Sequence, residues 1–226
     1  MDAVVFDLFG TLVTAPTPEE RARAASRLAT VVGCVPAAVE RYFRATWHIR
    51  HDGTLPTLTD LAAHLVRAVH GPEATVGLVT DELRVLARAR LVPAPSVLFA
   101  LKSLRSKGVR LGILSDPSAE IAAAWPGSPL AALVDAAVFS CDAGAVKPDQ
   151  RLYGRICHGL DVATHRTLYA GDGGGDELRG APAAGMTAVR VRRRGPVDAL
   201  AFGDTVWFGH ILDTAEHVPA YLTERT

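Results

Sequence analysis

Met1-Asp2-Ala3-Val4-Val5-Phe6-Asp7-Leu8-Phe9-Gly10-Thr11-Leu12 decides how the whole chain is read. Ala3 to Phe6 is an apolar run rich in β-branched and aromatic side chains, the pattern of a strand buried on both faces. The run stops at Asp7, and Gly10 follows shortly after, so a turn is expected directly beyond the aspartate. In an open parallel sheet, ligands bind in the crevice outside the carboxyl ends of the strands. Asp7 belongs in that crevice if this is such a strand. On this stretch alone, a turn or helix-cap aspartate is the alternative.

Bulk properties narrow the setting. The 226 residues suit one large domain, or one domain carrying an insertion, with a sizeable core. Lys plus Arg and Asp plus Glu number 24 each, so the formal net charge is zero. That balance argues against nucleic-acid or membrane-surface binding through excess positive charge. Arginine dominates the cations, with 21 arginines to three lysines, Lys102, Lys107 and Lys147. Three cysteines without metal-ligand spacing suit a reducing compartment. With no basic n-region and no apolar run of the ~18 residues a bilayer span needs, the expectation is a cytoplasmic protein without signal peptide.

Beyond the first strand the pattern turns helical. Thr17-Pro18-Glu19-Glu20 has the form of a capping box with Pro at the first helical position, opening a helix that stops at Gly33. Pro36 opens a second helix carrying Val39, Phe43, Trp47 and Arg50, expected to run to Asp52-Gly53. A third starts at Thr57 and ends at Gly71, and a fourth covers Val76 to Arg90 before Pro93 and Pro95. Residues 14–92 thus read as a four-helix insertion. Residues 1–13 and 93–226 read as the core.

From Ser96 onward helices and apolar strands alternate, as in a doubly wound fold. Expected strands are Val109–Leu114, Ala136–Phe139, Thr167–Ala170 and Thr187–Val191. The fold class is therefore α/β, a Rossmann-like doubly wound parallel sheet with an inserted helical cap. Arg190 and Arg192 to Arg194 read as a solvated strand end.

Four polar residues fall at or just beyond strand ends: Asp7, Ser115, Lys147 and Asp172. A serine there commonly caps a turn, and Lys147-Pro148-Asp149 could simply start a helix. Gly171-Asp172-Gly173-Gly174-Gly175-Asp176-Glu177 says more. Its glycines let backbone approach a ligand, and its three acids repel one another unless a cation neutralises them. A carboxylate-rich site with room for water favours Mg²⁺. Together these point to phosphoryl chemistry.

Order and spacing resemble the haloacid dehalogenase superfamily: Asp7-Leu8-Phe9-Gly10-Thr11 after a strand, Ser115 after a second, Lys147-Pro148-Asp149, and Gly171-Asp172 with Asp176 and Glu177 beyond. The insertion after the first motif resembles that superfamily's C1-type cap. The resemblance implies Asp7 as nucleophile, Ser115 holding a phosphoryl oxygen and Lys147 neutralising charge on both. It implies Mg²⁺ held by Asp7, the Phe9 backbone carbonyl and Asp172, with Asp176 or Glu177 acting through water. Phe9, Gly10, Thr11 and Asp116 are expected beside the substrate. From the cap, Arg50 and His51 are expected to reach an anionic small molecule. The chain is expected to be a monomer or a homodimer.

One position departs from the pattern. Phosphatases that this chain resembles carry a second aspartate two residues after the nucleophile, to protonate the leaving oxygen and later activate water. Phe9 stands there and exchanges no proton. A general acid contributes typically about 10²–10⁴-fold. Three functions follow: an atypical phosphatase, a 2-haloacid dehalogenase-type hydrolase, or a catalytically impaired protein that binds a phosphorylated ligand. Schiff-base chemistry through a cap lysine is excluded, since residues 14–92 contain none.

Overall fold

The computed structural model describes residues 1–192 and 206–224. Its centre is β1 (Ala3–Phe6), whose four residues are all buried. Six α-helices follow before the next strand, the first five being α1 (Pro18–Val32), α2 (Pro36–Ala45), α3 (Trp47–His51), α4 (Leu58–Ala68) and α5 (Val76–Arg90). Then come α6 (Pro95–Ser106), β2 (Arg110–Ser115), α7 (Ala119–Ala124), β3 (Ala136–Phe139), α8 (Ser140–Ala143), α9 (Gln150–Leu160), β4 (Thr167–Gly171), α10 (Glu177–Ala183), β5 (Thr187–Val191), β6 (Ile211–Leu212) and α11 (Val218–Thr223). Among the described residues no helix is long and apolar enough to cross a membrane.

The six strands form one sheet in the order β3-β2-β1-β4-β5-β6, with every pairing parallel. The chain winds outward from β1 in one direction and then returns to start the other half at β4. That reversal opens the ligand crevice of doubly wound sheets between β1 and β4. Register puts the right residues at its mouth. Phe6 is level with Ile113 of β2 and Ala170 of β4, so Asp7, Ser115 and Asp172 emerge at one carboxyl edge.

Two apolar clusters cover the sheet faces. One gathers Phe6, Leu8, Leu101, Leu111, Ile113 and Val189 with α6 and α11, the other Val5, Leu114, Tyr153, Ile156 and Tyr169 with α9 and α10. A third, from Ala25 to Leu83, draws only on residues between β1 and β2. That region therefore has its own core.

The expected capping box at Thr17 forms, with Glu20 N–H donating to Thr17 Oγ1 and Thr17 N–H to Glu20 Oε2. The four-helix reading of this region is corrected to five, because the helix expected from Pro36 to Asp52 breaks at Thr46. There the backbone leaves helical geometry, and the hydroxyl donates back to Tyr42 O at 2.7 Å, a local bond that competes with the helix. Of the basic stretch at the end of β5, Arg190 belongs to the strand and Arg192 follows it, bonding Asp213 at 2.7 Å, while Arg193 and Arg194 lie outside the described residues.

Candidate active site

A tight loop follows β1. Asp7 N–H donates to Ala170 O across to β4 at 3.0 Å, and Leu12 and Val13 N–H both return to Leu8 O. Asp7 is thereby fixed at the sheet edge, 5% exposed, with Phe9 beside it. Thr11 Oγ1 donates to Asp7 Oδ2 at 3.3 Å. Lys147 Nζ, from the loop before α9, donates to Asp7 Oδ1 at 2.8 Å and to Glu177 Oε2 at 2.5 Å.

Glu177 is fully buried at the start of α10. Tyr169 OH donates to its Oε2 at 2.7 Å and Gly173 N–H to its Oε1 at 2.9 Å. Donors therefore converge on both oxygens, whereas burial pushes the Glu177 carboxyl up to about 8, partly offset by the Lys147 ammonium and reinforced by Asp7 and Asp172. The close approach depends on Gly171: a Cβ there would lie 2.1 Å from Glu177 Oε1. Gly173, at φ +104, turns the chain out of β4 into the acidic loop in a conformation that favours glycine.

Asp116 steadies the lysine loop from β2's side, accepting from Lys147 N–H at 3.1 Å through Oδ1. Burial pushes the Asp116 carboxyl up to about 6. Burial also raises Asp7, partly offset by the Lys147 ammonium and reinforced by Asp172. For Lys147, burial works against the charged form, yet Asp7, Glu177 and Asp116 together lift it well above its ordinary value.

The carboxylates of Asp7, Asp172 and Glu177 each offer an oxygen, and these lie within 4.8 Å of one another. Asp172 Oδ1 also accepts Gly174 N–H at 2.9 Å. With Asp116, four buried or part-buried acids surround the one ammonium of Lys147. Hard oxygen ligands in negative excess fit a divalent cation such as Mg²⁺. Asp7 and Asp172 are the better placed pair, because Glu177 is occupied by its three donors. Asp176 stands half-exposed at φ +53, its carboxylate 3.7 Å from Arg179.

Above the sheet edge a cavity of about 960 Å³ extends from Asp7, Ser115, Asp116, Lys147 and Asp172 to helices α1, α2, α3 and α5. Arg50 and His51 line it. Arg50 is buried and donates to Phe43 O at 2.9 Å, with its guanidinium 5.0 Å from the Phe43 ring. Burial, with Arg50, Arg90 and His48 nearby, pushes the His51 imidazolium down to about 3. Two cavity residues escape the sequence reading. Arg90 lies over the Phe9 ring, 4.6 Å from its centroid, and Glu120 of α7, which packs against α4 and α5, is buried. A carboxylate in the otherwise apolar Ala119–Ala124 segment is the signal that could have revealed Glu120.

This sheet order, with an aspartate ending β1, a lysine clamped between it and a buried glutamate, and an acidic loop after β4, defines a class of hydrolase. The haloacid dehalogenase-like hydrolase family profile matches residues 1–185, and the chain belongs to that family. Curated relatives lie on both sides of its chemistry. Phosphatase MT3486 of Mycobacterium tuberculosis (strain CDC 1551 / Oshkosh) is 36% identical over 118 residues, covering 51% of this chain and 54% of the phosphatase. The chain thus aligns with about half the length of that relative. The (S)-2-haloacid dehalogenase 4A of Burkholderia cepacia is 29% identical over 202 residues, covering 85% of this chain and 84% of the dehalogenase. Solved structures divide likewise. The 2-haloacid dehalogenase from Pseudomonas syringae pv. Tomato DC3000 aligns over 100% of both chains with TM-score 0.71 and 21% identity. The HAD phosphatase from Thermococcus onnurineus aligns over 98% of both with TM-score 0.65 and 20% identity. At such identities these structures speak to the fold alone.

Proposed function

We propose that the chain is a Mg²⁺-dependent phosphatase acting on a small phosphorylated metabolite, with Asp7 as nucleophile and residues 14–92 as a C1-type cap over the core. The observation carrying this reading is the crowding of the Asp7, Asp172 and Glu177 carboxylates around one lysine. A negative excess of that kind is useful where a cation must bring a phosphate dianion to a carboxylate. Bound Mg²⁺, held by Asp7, Asp172 and the Phe9 carbonyl with Asp176 or Glu177 reached through water, would supply Lewis-acid charge neutralisation.

The chain's own residues do the rest. An Asp7 carboxylate oxygen forms a bond to phosphorus as the bond to the leaving oxygen breaks, giving an aspartyl phosphate. Lys147 compensates charge on Asp7 and on the phosphoryl oxygens, held in place by Glu177 and Asp116. Ser115 hydrogen-bonds a phosphoryl oxygen, and Gly10, Thr11 and Asp116 shape the pocket. Water then attacks phosphorus and regenerates Asp7. Phe9 cannot protonate the departing oxygen, so substrates with good leaving groups are favoured.

Phe9 also supports a second reading, a 2-haloacid dehalogenase-type hydrolase. Displacement of halide by Asp7 needs no proton on the leaving group, and the Burkholderia cepacia relative carries that name over most of this chain's length. A third outcome is a phospho-ligand-binding protein without turnover. The test is a paired assay: phosphate release from p-nitrophenyl phosphate with and without Mg²⁺, and halide release from 2-chloropropionate. Phosphate release that requires the metal and is lost in Asp7→Asn supports the phosphatase. Metal-independent halide release supports the dehalogenase, and silence in both assays supports the third outcome.

A further inference from the structure

Away from Asp7, the cavity holds charge that phosphoryl chemistry does not use. Arg90 ends α5, and its guanidinium face is covered by the Phe9 ring at 4.6 Å. Its Nε is shielded from solvent and has no hydrogen-bond partner. Across the cavity, α7 packs against α5 and carries Glu120, 6% exposed. Ser118 Oγ donates to Glu120 Oε1 at 2.7 Å, whereas Oε2 is buried and unpartnered. Arg50, 7% exposed, also feels the Glu120 charge. Arg21 and Glu20 of α1 act on Arg90 with opposite signs. Among Arg50, Arg90 and Glu120, positive charge is therefore in surplus by one, in a shielded space beside the loop that carries the nucleophile.

We propose that Arg90 is a specificity residue that receives a carboxylate on the non-reacting end of the substrate. Contact with the Phe9 ring holds the guanidinium and leaves its Nε–H for binding. The Nε–H and its neighbouring Nη–H together match the two oxygens of a carboxylate. A buried donor without a partner is costly, and a ligand anion removes that cost while cancelling the surplus charge. Glu120 sets that surplus at one. The proposal rests on Asp7 marking the reacting end, because Phe9 beside it is what positions Arg90.

Binding can be measured without turnover on the full chain at fixed free Mg²⁺. The probes are phosphonoacetate and 3-phosphonopropionate, each against the alkylphosphonate of equal length. The wild type should bind one carboxylated probe at least about tenfold more tightly than its alkyl partner, as expected for a charge-assisted pair. Arg90→Gln should reduce that preference to about threefold or less. Glu120→Gln, which keeps shape and the Ser118 bond, should widen it, whereas a purely structural Glu120 would not. Equal or absent binding of the carboxylated probes, a preference that survives in R90Q, or one that narrows in E120Q overturns the proposal. Failure of phosphate release in the paired assay, with the preference intact, would instead sink the phosphatase reading and leave the carboxylate site standing.

Discussion

The two ends of the cavity contrast in how their charges are satisfied. At the sheet edge, Lys147 binds Asp7 and Glu177, Glu177 receives Tyr169 and Gly173, and Asp116 holds the lysine backbone. At the helical end, Arg90 Nε, Glu120 Oε2 and His51 Nδ1 are buried without partners. A preset network suits groups that must hold one geometry through a reaction, since preorganised charge costs no rearrangement in the transition state. Unpaired groups suit a surface whose partner arrives with the ligand. Under the proposals above, one end serves the chemistry and the other the choice of substrate.

The largest expected break comes from Lys147→Met. It would leave Asp7, Glu177 and Asp116 without their cation, at a cost of about 3–5 kcal/mol for a broken buried pair. Turnover should fall roughly 10³-fold, the scale of losing a preorganised charge stabiliser. Denaturant melts beside steady-state kinetics check both effects. Second is Gly171→Ala, which leaves every charged residue in place. Its Cβ would displace Glu177, and a shift near 1 Å at a positioned group costs about a hundredfold. Normal kcat in a folded G171A protein would contradict the role given to Glu177.

Third, Phe9→Asp joins the two ends. It restores a proton carrier beside Asp7 and should raise phosphate release by about tenfold or more. It also removes the ring under Arg90, so the preference for carboxylated probes should fall in the same protein. Smallest is Tyr169→Phe, which takes one donor from Glu177. A loss of about 1 kcal/mol, or roughly fivefold in kcat, is expected.

The same contrast explains what could be read from sequence. The sheet-edge site was legible because strand order and strand ends set it: buried runs locate β1, β2 and β4, and their terminal polar residues must meet at one edge. The helical end depends on side chains from α3, α5 and α7 meeting across a cavity, which no local pattern encodes. Arg50 and His51 were visible as a polar run, whereas Arg90 figured only as the last residue of a helix. Asp176 and Glu177 were not told apart either. Adjacent acids look alike in sequence, but the start of α10 buries one and leaves the other beside Arg179. The break at Thr46 turns on a hydroxyl returning to Tyr42 O, and β6 has only two residues, too few for any periodicity.

The central claim is that Asp7 accepts a phosphoryl group. Its most direct test is acid-quenched peptide mass spectrometry after incubation with Mg²⁺ and p-nitrophenyl phosphate, beside a parallel incubation with 2-chloropropionate. The account predicts a single phosphoryl group on the peptide carrying Asp7, dependent on Mg²⁺ and absent in Asp7→Asn. An unmodified peptide during phosphate release, or an Asp7 ester formed only with the haloacid, would contradict it.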